Sequence, residues 1–77
     1  MTVADQHGNG WDRDEKHGAW KRRTASRDLV ITFHPRAVML PYELDIQAPA
    51  AGGATVYGDM FATFEAAAGM AHRLTAR

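Results

Sequence analysis

The last stretch of the chain restricts its folding most. From Thr63 to Ala76, the residues Phe64, Ala67, Ala68, Ala71, Leu74 and Thr75 recur at three- and four-residue steps, so a helix places them on one face. Thr63 suits the N-cap, where its hydroxyl accepts from a first-turn amide. Glu65 and Arg73 then match the two ends of the helix dipole. A helix of roughly 21 Å is not secure alone in water, so its apolar face must be held by another element. That face is mostly alanine and offers close approach rather than bulk. The large side chains must come from elsewhere, and strands are the expected source. Gly69, in mid-helix, costs on the order of 1 kcal/mol against alanine; the sequence allows either a close neighbour there or a tolerated cost.

Two segments supply that bulk. Leu29, Ile31 and Phe33 alternate with Val30, Thr32 and His34, and Tyr42, Leu44 and Ile46 alternate with Glu43, Asp45 and Gln47. Period-two patterning of this kind belongs to antiparallel strands with one face on a core and one in water. Pro35 stops the first strand, and Pro41 marks Ala37 to Leu40 as an edge, a bend or a bulged entry to the second. Ala19 to Arg23 reads as a further short strand with Trp20 as its inward anchor and Thr24 to Ser26 as the turn after it. Ala48 to Gly53 is a loop by composition, leading into a strand over Ala54 to Gly58 in which Val56 and Tyr57 compete for the inner face. The fold class that follows is α+β, an antiparallel sheet of three or four strands with one C-terminal helix packed on one face.

Residues 1–18 are rich in Gly, His, Asp and Asn and lack periodicity, and they read as a flexible N-terminal arm preceding a single small domain over residues 19–77. Trp11 is expected to be exposed or loosely docked. The first residues show no basic segment followed by an apolar one, and no apolar run approaches a membrane span, so a cytoplasmic protein without membrane association is expected. Seventy-seven residues without cysteine have neither disulfides nor thiolate metal sites to stiffen a small core. Homodimer formation is the remaining simple stabiliser. Seven arginines against two lysines, with fourteen alanines, point to a bacterial or phage origin by association.

Formal net charge is zero, yet residues 19–36 carry a net charge of plus four between two acidic flanks. Lys21, Arg22 and Arg23, with Arg27, Arg36 and the Trp20 indole nearby, are the candidate contacts for a partner or a nucleic acid. Phosphates would meet the cations, and a base could stack on the indole. Alternation along a strand sends Arg22 to the face opposite Lys21 and Arg23. The same charges therefore also serve a solvated strand edge that resists aggregation.

Other constellations are weaker. His7, His17, His34 and His72 never fall at helical ligand spacing, and Asp12 to Glu15 lacks the ligand pattern and glycine of a calcium loop, so no metal or other cofactor is expected. Glu43 and Asp45 share a strand face and could form an acid/base pair, but adjacent exposed carboxylates usually mark the wet side of a sheet. No nucleophile motif or phosphate-binding glycine loop is present, so an enzyme is not expected.

Phe61, Thr63 and Ala67 give the turn into the helix an F-x-T-x-x-x-A pattern. It resembles small bacterial sheet-plus-helix proteins of unknown function and the arm-type DNA-binding modules of some phage integrases, over about fifteen residues. The resemblance implies the sheet-and-helix fold. An integrase-like module would want basic residues where Glu43 and Asp45 stand. The functional expectation is a small non-catalytic interaction or accessory protein with an unknown protein partner, the alternative being a nucleic-acid-binding module using the basic segment.

Overall fold

The computed structural model describes residues 10–75. Five strands run in the order β1 (Asp12–Asp14), β2 (Ala19–Arg23), β3 (Asp28–Phe33), β4 (Tyr42–Ala48) and β5 (Ala54–Phe61), and helix α1 (Phe64–Thr75) follows. All neighbours pair antiparallel, and the spatial order equals the chain order, so the sheet is a five-strand meander. Each connection is short enough to return the chain beside the strand it has just left.

The sheet has one strand more than the sequence suggested. β1 lies within the segment read as an arm and pairs with β2, Arg13 opposite Trp20. Trp11, expected at the surface, is 8% exposed and meets Phe64 edge-on at 5.9 Å between ring centroids. Three residues of strand give no recognisable alternation, so the indole was the only cue to this pairing. The remainder of the proposed arm, residues 1–9, which includes His7, lies outside the described residues, as does Ala76, where the sequence placed the end of the helix.

Register places Trp20, Ile31 and Leu44 in one cross-strand row and Leu29, Ile46 and Tyr57 in the next. These rows form the covered face, and α1 lies across it, chiefly over β4. Phe64 is its anchor. The ring packs against Trp20 at 4.9 Å and Tyr42 at 6.3 Å, while Ala67 and Ala71 bring the helix backbone down on the sheet. Leu74 does not join them and remains half exposed, because the helix end has run past the thick part of the core. Nothing approaches Gly69, so its helical cost is simply tolerated.

Thr63 caps α1 as expected, its hydroxyl accepting from the Ala66 amide at 3.1 Å. Thr63→Ala should therefore lower stability by about 1 kcal/mol, read as a shift of the urea midpoint at constant slope. An unchanged midpoint would remove the cap from the account.

β5 also differs from expectation, continuing through Gly58 to Phe61 rather than breaking at Gly58-Asp59. Glycine is accommodated in the strand because a Cβ there would meet Asp45 Oδ1 at 3.3 Å. The competition between Val56 and Tyr57 resolves through a register shift near Ile46: Tyr57 faces Ile46 and packs on the core, and Val56 is left half exposed. Before β5, Pro49–Ala51 forms a 3-10 turn, and Gly52 and Gly53 take left-handed φ values of 73° and 81° that a side chain would disfavour.

Candidate interaction surface

The basic residues singled out by sequence are scattered by the fold. Trp20 is 4% exposed beneath Phe64, with the Arg13 guanidinium 4.3 Å above its ring, so its indole offers no free face to a base. Lys21 and Arg23 share the open sheet face and are each beside an acid, Lys21 at 3.4 Å from Asp14 and Arg23 at 3.1 Å from Asp28. Exposed pairs of this kind contribute at most about 1 kcal/mol, but they divide the positive field. Arg22 projects to the other face, toward Gly10. Arg27 folds back on the Ser26 carbonyl at the β2–β3 turn, while Arg36 is on the β3–β4 loop at the opposite end of the sheet. Lys21, Arg22 and Arg23 do line one shallow depression of about 460 Å³, together with Asp12 and Asp28.

The open face carries a polar row across β3 and β4. His34 Nε2 lies 2.7 Å from Glu43 Oε1, and Asp45 sits two residues along from Glu43 over Gly58. Partial burial, then the neighbouring Glu43 charge, raise the Asp45 carboxyl above its ordinary range, while His34 opposes the shift. A carboxyl whose folded pKa is raised binds its proton more tightly folded than unfolded. Its ionisation therefore costs stability as pH rises from the ordinary carboxylate range through the folded pKa. Asp45→Asn should be more stable than the parent at neutral pH, with the gap closing as pH falls below that window. A gap independent of pH between 3 and 7, in denaturation midpoints, would contradict this. On β1, the Asp14 carboxyl is held below its usual range, first by the His17 hydrogen bond at 2.9 Å. Among the described residues, no group of three or more His, Asp or Glu side chains is placed to hold a metal ion.

The feature that stands out is the tip of the β3–β4 hairpin. Val38 is 88% exposed, Met39 83% and Leu40 48%, and Phe33 at the base of the loop is partly exposed as well. The base is firm. His34 N–H donates to the Pro41 carbonyl at 2.7 Å, Ala37 N–H donates to the His34 carbonyl at 3.0 Å, and the His34–Glu43 contact ties the loop to β4. Phe33 and Tyr42 stack obliquely at 5.2 Å across the same base. Pro35 and Pro41 restrict the loop at both ends, which lowers the entropy lost when it is gripped. Val38, Met39 and Leu40 thus place three consecutive large apolar side chains in solvent, away from the core. The sequence signal was the run Ala37 to Leu40 between two prolines, which periodicity assigned to a bend or edge strand without identifying an exposed tip.

No helix among the described residues is long and apolar enough to cross a membrane. Comparison with protein-family models, curated proteins and solved structures gave no match.

Proposed function

We propose that the chain is a non-catalytic interaction protein that engages a protein partner through the β3–β4 tip. Val38, Met39 and Leu40 enter an apolar groove on that partner, and Arg36 meets an acidic rim. The observation that carries this reading is the strong exposure of Val38 and Met39 on a loop whose base is hydrogen-bonded. Unbranched Met39 adapts to a groove of imperfect fit, while β-branched Val38 is already stiff.

The test is a comparison of the parent with V38D/M39D. Both side chains are solvated, so thermal stability should change by no more than about 0.5 kcal/mol. Co-purification of one dominant protein by the parent, lost in the double variant, is the expected result. Retention of the same protein by V38D/M39D would refute the tip as the binding element. The nucleic-acid reading gives a different outcome: affinity for a short duplex that falls steeply with salt and is weakened by R22A/R23A. Burial of Trp20 and pairing of Lys21 and Arg23 with acids argue against it.

A further inference from the structure

The two edges of the sheet are unequal. β1 is three residues long, Asp12–Asp14, with a charge at every position, and short charged edges resist further pairing. β5 is eight residues long, contains no proline or lysine, and carries Asp59 as its sole charged side chain. Among the described residues nothing pairs with its outer side. The chain also has zero formal net charge, so no long-range repulsion keeps copies apart. From these observations we infer that β5 pairs antiparallel with β5 of a second copy about a two-fold axis through Gly58, joining two five-strand sheets into one.

The register follows from β5 itself. An axis on Gly58 sets Tyr57 of each chain opposite Asp59 of the other; the regular pairing spans Tyr57 to Asp59, and the bulge residue Val56 of each chain falls opposite Met60 of the other. Tyr57 hydroxyl already lies 3.4 Å from Asp59 Oδ2 within the chain, so the two groups are complementary along the strand and would be so across it. An axis on Asp59 would place two carboxylates directly opposite, which is unfavourable. An axis on Tyr57 would centre the seam against the register shift at Val56. Gly58 at the axis needs no side-chain room where the two backbones meet.

A two-fold axis perpendicular to the sheet leaves both helices on one face of the joined sheet. The half-exposed Val56 and Leu74 line one groove of about 320 Å³ with Ile46 and Tyr57 on that face. The second copy approaches the Val56 side of this groove, whose far side is polar with Thr24, Ser26 and Arg27, so strand pairing covers Val56. The interface is isologous, with each chain giving and receiving the same contacts, and it closes at two copies. It uses a surface distinct from the hairpin tip and leaves the tip free.

Sedimentation equilibrium of the full chain tests the assembly and cysteine cross-linking tests the register. The chain has no cysteine, so single introduced thiols report cleanly. The expected mass is that of two chains. Under mild oxidation G58C should form the intermolecular disulfide on the order of tenfold faster than D12C on β1 or V38C on the tip, because only the axis brings the Cα atoms within ~4.4–6.8 Å. Since a side chain at position 58 crowds Asp45, an equimolar mixture of Y57C and D59C is the second readout, and the mixed disulfide should clearly exceed the sum of the two symmetric ones, which random pairing would equal. A one-chain mass at several hundred micromolar overturns the inference. So does a two-chain mass in which D12C or V38C cross-links fastest.

Discussion

Phe64→Ala is expected to cost about 3–5 kcal/mol. Phe64 is the first residue of α1 and the point at which helix, β2, β4 and the segment before β1 converge: its ring contacts Trp11, Trp20 and Tyr42. The other buried residues of the helix are alanines, which bring no bulk of their own to the space left. Native stability for a domain of this length is of order 5–10 kcal/mol, and F64A should therefore leave a marginally folded protein. Urea denaturation followed by tryptophan fluorescence is the direct measurement, since both indoles lie against Phe64. Phe64→Leu, which keeps most of the volume, should lose less than half as much. A loss below about 1 kcal/mol for F64A would show that the helix is held chiefly by its backbone approach through Ala67 and Ala71.

Trp11→Ala is expected to cost about 3 kcal/mol. Were residues near Trp11 a free arm, the same change would fall within about 0.5 kcal/mol of zero, so the two descriptions separate cleanly. The indole is buried against the Phe64 edge, and the strand that follows it pairs with β2. Because Arg13 covers the Trp20 ring from the same short strand, W11A should also loosen that cation–π contact. Amide exchange along β2 should then accelerate at the β1-facing positions while β4 remains protected. Unchanged exchange in β2 together with a small stability loss would return Trp11 to the role of a surface residue.

Leu29 to Phe33 and Tyr42 to Ile46 carry clean period-two patterns, and the structure pairs them directly, Leu29 with Ile46 and Ile31 with Leu44. The helix, its Thr63 cap and its alanine face were equally plain. β1 was not, because three residues cannot show alternation and the burial of Trp11 just before it depends on Phe64, 53 positions away in the helix. Nor was the continuation of β5, since a glycine-aspartate pair ordinarily ends a strand; only the Asp45 side chain opposite Gly58 explains glycine there. The basic segment looked like one patch because its residues are adjacent in sequence. Strand alternation, the hairpin turn and nearby acids divide it in space.

The sequence by itself determined β3, β4 and the C-terminal helix and which side of each faces the core. Periodicity, capping and proline placement act over a few residues and are written in order along the chain. The tertiary structure alone decided what reaches solvent. Trp20 is covered by Phe64, Val38 and Met39 are left uncovered at the hairpin tip, and β5 rather than β1 presents the long edge with a single charge. Exposure is a property of what lies on top of a residue, and that depends on contacts between positions far apart in the chain.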